Sequence, residues 1–530
     1  MVWKKIRFSL NYFRRTLALG HGTDSGPCAM TVSRSNRSEA VTLMTLAPEV
    51  RNRSDNDATG GNNVNPGGGN ANPDADPTSA GHDESRAGDP ERLIDERQKG
   101  YCLEAPFYLS EEFYRRDIEA VFASTWIFAA TAAELPEPGD FVTVDIGTYS
   151  VIIIRDDDEN IRAHHNVCRH RGARLLSEAS GSVGNIVCSY HQWTYSPEGD
   201  LMSAGVQAPG FDRTCFTLRS VNVEVVAGLV FICLAQDPPV DFAEVAARIS
   251  PYIEPHALEK TKVAAQVELV EHANWKLVME NNRECYHCEA GHPELTCTFF
   301  PTYGYAPEDI PKRLKPAYQR FLDAEERLRI NSERNHLPTE LIEDLSGRAT
   351  GYRIERAALD GKGESYTMDG GAASAKLLGE FDTPELGRLS MHTQPNAWFH
   401  FMGDHAVAFS VVPLGPDRTL VRSTWLVHED AVEGVDYDVE NLTTVWVKTN
   451  EQDAALCAKA HKGISSPAYV PGPYAPTESH LEEFCTWYIE RLKAHRSQGQ
   501  RSQGQGSQGQ GSQGQRVQEQ KLQEHSGGQS

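Results

Sequence analysis

The sequence predicts a protein of the α+β class with two domains and a tail at each end. Its 530 residues are enough for two domains. A helical pattern runs from Asn274 to Cys288, and a helical stripe lies between Leu442 and Ala460. The run NAWFHFMGDHAVAFSVVP reads instead as two strands around a turn at Gly403-Asp404. Helices and strands are therefore both expected in the second half of the chain.

The two ends of the chain are poor material for a hydrophobic core. Residues 51–89 are rich in Asn, Gly, Asp and Pro, and the C-terminus repeats SQGQ from residue 497. Such compositions predict disorder. We therefore expect five regions, which are a disordered extension over 1–90, a helical segment over 91–135, a first domain over 136–240, a second domain over 241–495 and a low-complexity tail over 496–530.

The first 20 residues carry five Lys and Arg side chains and no acid, interleaved with apolar side chains. An organelle transit peptide and a surface-binding amphipathic helix are two interpretations. The third is an extension upstream of the real start, with Met30 or Met44 initiating. We favour the third interpretation, and with it a cytoplasmic location.

Composition excludes several classes of protein. The net charge of −23, from 74 acidic and 51 basic side chains, disfavours nucleic acid binding. No run of 18 apolar residues is present, so no membrane span is expected. The 11 cysteines do not form a framework of the secreted type, which indicates a reducing compartment.

The first metal pattern consists of two Cys/His pairs. Cys168-x-His170 and Cys188-x-x-His191 are separated by 17 residues and lie among glycines and other turn residues. Two thiolates on one iron and two imidazoles on the other are the ligand set of a Rieske 2Fe–2S cluster, which transfers single electrons. A structural zinc site uses the same four side chains, but the usual zinc finger ends in two closely spaced histidines. The spacing therefore favours the Rieske cluster.

The second metal pattern is Glu284-x-x-His287-x-x-x-x-His292. Glu284 and His287 are three residues apart and share a helix face. Gly291 and the His292-Pro293 step predict that the helix ends there, which frees His292 to turn back beside His287. Two histidines need one carboxylate to complete the facial triad of a non-haem iron(II) site.

Asp453 is the best candidate for that carboxylate, 161 residues beyond His292. It lies in the middle of an otherwise apolar or small helical stripe, whereas Glu451 lies off the stripe. A buried carboxylate is costly unless it is paired or bound to a metal. The alternative is a structural partner for a buried Arg or His. The stripe consists of Leu442, Val445, Trp446, Thr449, Asp453, Leu456, Cys457 and Ala460.

Cys285 and Cys288 bracket His287. A CxxC redox pair and a zinc site are two interpretations of this spacing. We interpret them instead as packing residues of the same helix.

With both metal patterns in place, residues from about Tyr101 to His495 resemble the alpha subunit of Rieske non-haem iron oxygenases. The resemblance implies an all-β Rieske domain followed by a catalytic domain, in which helices flank a twisted antiparallel sheet. It also implies the ligands. The cluster ligands would be Cys168, His170, Cys188 and His191, and the mononuclear iron ligands would be His287, His292 and Asp453.

Glu284 stands where most members of this family carry an aspartate. A glutamate there resembles the branch that oxidises quaternary ammonium compounds, and three further stretches are similar to it: SYTMDG (residues 365–370), WLVHEDAVEGVDYD (425–438) and GISSPAYVPGPYAPTESH (463–480). In the family the acidic residue links the Rieske histidine of one subunit to the iron site of its neighbour. The resemblance therefore implies that Glu284 bridges electron transfer between subunits of a homotrimer.

The activity implied is hydroxylation of an N-methyl group with O2. Electrons would come from NADH or NADPH through a separate ferredoxin or flavin reductase, since the chain has no GxGxxG between a strand and a helix and no plant-type ferredoxin cysteine run. Glycine betaine, giving dimethylglycine and formaldehyde, is the expected substrate. The alternative substrates, if the protein is an oxygenase, are carnitine, choline, proline betaine and aromatic rings. A Rieske electron carrier or a zinc-stabilised binding protein is the alternative without oxygenase activity.

A trimethylammonium group is recognised by aromatic faces. Trp398 and Phe401, with Phe299, Phe300 and Tyr303 just after the iron histidines, are the candidates for such a cage. For each ring, ordinary core packing is the alternative. A further candidate, His405, would line the pocket or hydrogen-bond a substrate carboxylate.

Overall fold

The computed structural model describes residues 89–302, 305 and 307–498. The part of the chain that it describes begins with three short helices, α1 (Pro90–Glu96), α2 (Ala105–Leu109) and α3 (Glu111–Asp117), followed by a π-helical turn at Ile118–Phe122. Local sequence explains their starts. Asp89 accepts a hydrogen bond from the backbone N–H of Glu91, and Ser110 accepts one from Phe113. Most of the predicted extension over 1–90 and of the tail over 496–530 lies outside the described residues.

The next part of the chain, residues 127–233, consists of strands and loops. It contains one short 3₁₀ turn in its first half and one in its second half. Three antiparallel sheets form, with strand orders β4-β3-β2-β5, β6-β7-β8 and β1-β10-β9. In the central strand β3, Val151 to Ile154 are β-branched and fully buried, which suits a strand covered on both faces. The strands are β1 (Ile127–Thr131), β2 (Asp140–Ile146), β3 (Tyr149–Arg155), β4 (Ile161–His165), β5 (Ser180–Ser182), β6 (Ile186–Val187), β7 (Thr194–Tyr195), β8 (Leu201–Ser203), β9 (Asn222–Val226) and β10 (Leu229–Cys233).

The second half of the described chain is built on one seven-stranded antiparallel sheet, flanked by helices, in the order β11-β17-β16-β15-β14-β13-β12. The predicted α+β class and the predicted antiparallel sheet are therefore confirmed. The elements are α4 (Phe242–Ile253), β11 (Thr261–Glu271), α5 (Trp275–Asn282), α6 (Cys288–Gly291), α7 (Lys315–Arg334), β12 (Ile342–Asp344), β13 (Tyr352–Ala357), β14 (Arg388–Thr393), β15 (Ala397–Phe401), β16 (His405–Gly415), β17 (Arg418–His428), α8 (Val439–Ile464) and α9 over residues 479–498.

Short 3₁₀ turns connect these elements. They are Ala132–Glu134, Arg213–Phe216, Glu254–His256, Leu258–Lys260, Leu295–Thr298, Pro307–Asp309, Lys312–Leu314 and Pro476–Glu478.

The strands predicted around Gly403-Asp404 are confirmed as β15 and β16. The helical stripe after Leu442 is confirmed as part of α8, which packs across β11 and α5. Asn450 on α8 donates a hydrogen bond to the hydroxyl of Ser423 on β17 at 2.9 Å. This contact ties the helix that carries Asp453 to the sheet.

The N-terminal helices are fastened to the second half of the chain by buried polar side chains. Asp117 accepts hydrogen bonds from the indole of Trp275 at 2.8 Å and from the hydroxyl of Tyr488 at 2.7 Å, and it also pairs with the ammonium of Lys276. Both members of the Asp117–Lys276 pair are fully buried. Because Trp275 and Lys276 open α5, this network fixes the start of the helix that leads to the iron pattern.

Among the described residues, the structure contains no helix whose length and apolar character would let it cross a membrane.

Candidate metal centres and the cavity beside them

Two loops with the same hydrogen bonding carry the first metal pattern. In the first loop the backbone N–H of Cys168 donates to the carbonyl of Ala173 at 2.8 Å, and the N–H of Gly172 donates to the carbonyl of Cys168 at 3.0 Å. Gly172 has a φ of 74°, a conformation that glycine adopts without strain. The turn therefore presents the side chains of residues 168 and 170 on one tip.

The second loop repeats this turn. The N–H of Cys188 donates to the carbonyl of Trp193 at 2.8 Å, and the N–H of Gln192 donates to the carbonyl of Cys188 at 3.0 Å. Gln192 takes the place of the glycine and has a φ of 58°. The two loops therefore have equivalent backbone structures. This is expected of two loops that bind one metal cluster between them.

The thiols and the imidazoles of these loops differ in exposure. Cys168 and Cys188 are buried and carry free thiols, whereas His170 and His191 are exposed. The two imidazole rings lie 4.5 Å apart between centroids, and the indole of Trp193 stacks on His170 at 4.8 Å. A buried pair of thiols beneath an exposed pair of imidazoles fits a two-iron cluster with one buried iron and one surface iron.

Tyr195 contacts a thiol of this centre directly, which the sequence does not indicate. Its hydroxyl lies 3.4 Å from the thiol sulfur of Cys168 and accepts a hydrogen bond from the N–H of Arg169 at 3.0 Å. Burial raises the pKa of Tyr195, so the phenol keeps its proton. A cluster sulfur at this position would receive a hydrogen bond, which is one of the ways in which proteins tune the potential of such clusters.

The helix that leads to the second pattern is shorter than predicted. The prediction of a helix through Cys288 was wrong, because α5 ends at Asn282 and α6 begins at Cys288. Between them the carboxylate of Glu284 accepts a hydrogen bond from the N–H of Tyr286. This local bond competes with the helical one, as acidic side chains do at turns.

Cys285 and Cys288 are joined by a disulfide bond. Their interpretation as packing residues of one helix was therefore wrong, although Cys288 is buried and Cys285 packs on the same cluster of apolar side chains. The alternative interpretation, a CxxC pair, agrees with the structure. The chain between the two sulfurs includes His287, so the disulfide restrains the backbone at that residue.

His292 turns back toward His287 as predicted. Helix α6 ends at Gly291, and His292 leaves it with a φ of −128° and a ψ of 75°. The two imidazole rings then lie 5.0 Å apart between centroids.

Asp453 on α8 meets both histidines. Its Oδ1 atom lies 3.3 Å from Nε2 of His287 and 3.0 Å from Nε2 of His292. The same oxygen accepts a hydrogen bond from the side-chain amide of Asn281 at 2.6 Å. The structure thus brings together three side chains that are separated by as many as 166 residues in the sequence.

The opposite nitrogen of each imidazole is held by another side chain. Nδ1 of His287 lies 2.6 Å from a carboxylate oxygen of Glu284, and Nδ1 of His292 lies 2.9 Å from the amide oxygen of Gln452. The amide nitrogen of Gln452 donates in turn to Glu294 at 2.7 Å. Because carbonyl and carboxylate oxygens only accept, both Nδ1 atoms carry a proton, and the Nε2 atoms that face Asp453 are the ones that would bind a metal in place of a proton.

Electrostatics couple these groups strongly. Burial lowers the pKa of His287, but the carboxylates of Asp453 and Glu284 outweigh burial and raise it to about 9. Burial raises the pKa of Asp453, but hydrogen bonds from the two histidines outweigh it and lower the value. Two imidazoles and one carboxylate that attract positive charge so strongly are the donor set of a facial iron(II) site, and these residues fit that metal.

A cavity of about 250 Å³ opens beside these three side chains. Its walls come from α5, α8 and the neighbouring strands β13, β14 and β15. They combine aromatic rings with both signs of charge, which suits a small polar ligand. The lining side chains besides the triad include Phe299, Arg353, Glu355, Tyr366, Arg388, Ser390, His392, His400, Trp446 and Thr449.

Only one of the predicted cage rings lines this cavity among the described residues, and it is Phe299. Trp398 stacks on Phe409 at 4.9 Å, and Phe401 packs against His256 in a separate apolar cluster. Trp398 shares a sheet face with His400, but it lies two residues earlier on β15, where the ring of Phe409 on the adjacent strand β16 stacks on it. These two rings follow the core-packing alternative.

Two other candidates, His405 and Phe300, also lie away from this cavity. His405 is fully buried and bonds to Asp404 and Ser365, away from the cavity lining. Phe300 packs on Phe321 and faces a second cavity. Tyr303 lies outside the described residues.

Two rings of the cavity, Tyr366 and Trp446, were not predicted as cage residues. Their ring centroids lie 4.9 Å apart at an angle of 70°. A signal was present for each of them. Trp446 lies two helical turns before Asp453 on the same stripe, and Tyr366 lies in the SYTMDG stretch.

Two family models match the chain. The Rieske [2Fe-2S] domain matches residues 125–219, and the catalytic domain of the ring hydroxylating alpha subunit matches residues 258–494. The first range contains the two Cys/His loops, and the second contains the His287, His292 and Asp453 triad.

Among similar proteins, the glycine betaine monooxygenase oxygenase subunit of Chromohalobacter salexigens is 41% identical over 76% of this chain and 88% of its own length. The subunit of the same name from Pseudomonas aeruginosa is 40% identical over 76% of this chain and 91% of its own. The carnitine monooxygenase oxygenase subunit of Escherichia coli is 34% identical, but over only 38% of this chain and 55% of its own.

Solved structures share the fold. A quaternary ammonium Rieske monooxygenase in complex with gamma-butyrobetaine has a TM-score of 0.54 at 20% identity, covering 76% of this chain and 99% of its own. Naphthalene 1,2-dioxygenase from Rhodococcus sp. has a TM-score of 0.52 at 19% identity, covering 74% of this chain and 94% of its own.

Proposed function

Because this chain belongs to the family of Rieske non-haem iron oxygenase alpha subunits, we propose that it hydroxylates an N-methyl group of glycine betaine and releases dimethylglycine and formaldehyde. One observation carries the proposal. Nε2 of His287 and Nε2 of His292 converge on one oxygen of Asp453, at the wall of a small cavity that contains aromatic rings and both signs of charge. The similarity to two glycine betaine monooxygenase subunits supports the choice of substrate.

The residues have separable tasks. Cys168, His170, Cys188 and His191 hold the 2Fe–2S cluster. His287, His292 and Asp453 would hold iron(II), which would supply the activation of O2 when bound. Hydroxylation consumes O2, two electrons and two protons, and it converts the N-methyl C–H bond to C–OH with release of water. The N-hydroxymethyl ammonium then loses formaldehyde and a proton and leaves the tertiary amine.

The cavity rings suit the cation of the substrate. A trimethylammonium group has no hydrogen-bond donor, so aromatic faces are its main source of attraction. We propose that Phe299, Tyr366 and Trp446 surround it in the cavity that Asp453 also lines. The same placement brings an N-methyl carbon toward the metal and excludes water from it.

The first test is turnover of the purified protein after anaerobic reconstitution with iron and sulfide. The assay contains NADH, a reductase and glycine betaine, and it measures formaldehyde and dimethylglycine. Equal amounts of both products are expected. Oxygen uptake with peroxide but no formaldehyde would remove glycine betaine and direct the search to carnitine, choline and proline betaine.

The cage is tested with Tyr366→Leu and Trp446→Leu. Each contact of this kind contributes about 0.5–2 kcal/mol, so each variant is expected to raise the Michaelis constant for glycine betaine about 2- to 30-fold. Trp398→Leu is the matched control, because it removes a buried indole outside the cavity. An equal rise in the control would mean that lost packing, and not the cage, causes the effect.

We also propose that electrons cross between subunits of a homotrimer through Glu284. Two observations support this path. His170 and His191 expose their rings at the surface, where a neighbouring subunit would dock. Glu284 contacts His287 directly at 2.6 Å, and the neighbouring Tyr286 is 71% exposed.

Complementation tests this path. A Cys168→Ser subunit lacks the cluster, and a His287→Ala subunit lacks the mononuclear iron, so each is inactive alone. Co-expressed subunits are expected to regain part of the activity, because the cluster of one serves the iron of the other. Inactive mixed trimers would refute transfer between subunits, and light scattering checks that trimers form.

The electrons themselves come, in this proposal, from NADH or NADPH through a separate ferredoxin or flavin reductase. We propose a cytoplasmic location, since the two ligand thiols must stay free until the cluster is inserted.

A further inference from the structure

Three polar side chains on two neighbouring strands are joined by hydrogen bonds beside the cavity. Arg388 and Ser390 lie two residues apart on β14, and His400 lies directly opposite Ser390 on β15. The guanidinium of Arg388 donates a hydrogen bond to the hydroxyl of Ser390, whose oxygen lies 3.0 Å from Nδ1 of His400. All three side chains line the cavity wall.

This chain of hydrogen bonds fixes the tautomer of His400. A guanidinium has no acceptor, so the Ser390 oxygen must accept from Arg388. The Ser390 oxygen could accept a second hydrogen bond, but its own proton has no other acceptor among the described residues, so it donates to Nδ1 of His400, which is then unprotonated. The neutral ring therefore carries its proton on Nε2. Burial lowers the pKa of His400 well below the usual value, and the charge of Arg388 lowers it further, so the ring stays neutral.

The resulting Nε2–H group has no hydrogen-bond partner within the described part of the chain. His400 is only 7% exposed. A buried donor that stays unpaired costs about 1–3 kcal/mol, so such a group in a cavity wall indicates an acceptor brought by a ligand. Nε2 is also the ring atom on the far side from the backbone, away from Ser390 and the sheet.

We propose that His400 binds the carboxylate of the substrate through Nε2–H, with Ser390 and Arg388 as positioning residues behind it. This inference rests on the proposed function and specifies how one zwitterion is selected over other quaternary amines. His400 stacks on the indole of Trp446 at 4.3 Å. The carboxylate anchor and the proposed cation cage are therefore adjacent, as the two ends of a short betaine require.

The distribution of charge supports the same orientation. Arg388 places a positive charge behind His400, which favours a carboxylate there. A quaternary amine with an alcohol in place of the carboxylate gains much less from a donor backed by a cation.

The experiment compares glycine betaine with choline, which has the alcohol. Iron- and cluster-loaded protein is titrated calorimetrically with each ligand without O2, and turnover of glycine betaine is measured separately. His400→Phe keeps a ring to stack on Trp446 but removes the donor. Its preference for glycine betaine over choline is expected to fall at least about 10-fold, the usual effect of losing a hydrogen bond to a charged group.

The controls separate a recognition role from a structural one. His256→Phe is the matched control, because His256 is also a buried histidine with an unpartnered Nε2 but does not line the cavity. Its ligand preference is expected to stay unchanged. His400→Gln, whose amide N–H can take the place of Nε2–H, is expected to recover most of the preference. Ser390→Ala is expected to lower it in the same direction but less.

An unchanged preference in His400→Phe, or an equal loss of affinity for both ligands, would overturn the assignment. If His400→Phe fails to retain iron or cluster, Ser390→Ala decides by the same ratio. The proposed function fails separately, if the unsubstituted protein neither binds nor demethylates glycine betaine.

Discussion

Gln452 is expected to control how tightly the chain holds its mononuclear iron, although it is not a ligand itself. Its amide oxygen is the partner of Nδ1 of His292 at 2.9 Å, and its amide nitrogen is anchored on Glu294 at 2.7 Å. In Gln452→Leu the side chain keeps a similar volume but loses both bonds. The buried Nδ1–H of His292 then has no acceptor, and the ring is free to rotate away from Asp453.

The magnitude follows from one lost bond. A neutral hydrogen bond contributes about 1–2 kcal/mol when its loss leaves a buried donor unpaired, and 1.4 kcal/mol is a factor of 10. The dissociation constant for iron(II) is therefore expected to rise about 5- to 30-fold, in the range found for residues that orient metal ligands. Turnover at limiting iron should fall in proportion.

Anaerobic titration of the iron-depleted protein against a chelator measures this constant, with the cluster absorbance as an internal standard. Glu451→Gln is the matched control, because Glu451 is the adjacent residue on α8 and pairs with Lys448 at the surface. An iron affinity within twofold of the parent in Gln452→Leu would refute the orienting role.

Three other predictions follow from the structure. Glu284→Gln should leave the cluster reducible and the iron bound but slow product formation, and normal coupled turnover would exclude the bridging role. Lys276→Met should destabilise the fold by about 3–5 kcal/mol in chemical unfolding, because it leaves the buried carboxylate of Asp117 unpaired; a loss below about 1 kcal/mol would contradict this. Burial, and then the charge of Asp453, raise the pKa of Glu271 to about 8 from 4.5. The folded state thus holds a proton that the unfolded state has lost, so Glu271 lowers the free energy of unfolding progressively between about pH 4.5 and 8. Glu271→Gln should then be more stable than the parent protein at pH 8 but not at pH 4, as measured by unfolding at both values, and an equal effect at both would contradict the shift.

Local sequence was sufficient where a site is built from a short segment. The two Cys/His loops each lie within six residues, and the turn of the chain after His287 follows from Gly291 and the His292-Pro293 step. Asp453 is distant in sequence, but the periodicity of its helix was enough, because a carboxylate in an apolar stripe needs a partner. In these cases the chemistry of single residues restricts the alternatives.

The cavity wall could not be predicted in the same way. Tyr366, His400 and Trp446 come from a loop, a strand and a helix, and only the tertiary fold brings their rings together. Trp398 and His400 alternate with Phe399 on one strand, so both point to the same sheet face. What separates them is that Trp398 stacks on Phe409 of β16, whereas His400 stacks on Trp446 of α8 beside the cavity, and no local pattern records these contacts.

The break in the helix after Asn282 was missed for a different reason. Residues 283–288 have no proline or glycine to end a helix. The interruption comes from Glu284, which bonds to the backbone of Tyr286, and from the Cys285–Cys288 disulfide. Both effects depend on side chains that are compatible with a helix by propensity alone.

The buried polar network around Asp117 bears on how this molecule can be divided. Asp117 precedes both ranges that the family models match, yet it holds Trp275, Lys276 and Tyr488, which all lie in the second range. A fragment that begins at the first model boundary would carry Lys276 as a lone charge in an apolar interior. The part of the chain that the family models match therefore cannot be moved into another protein on its own. A chimera that exchanges it must also exchange residues 90–122.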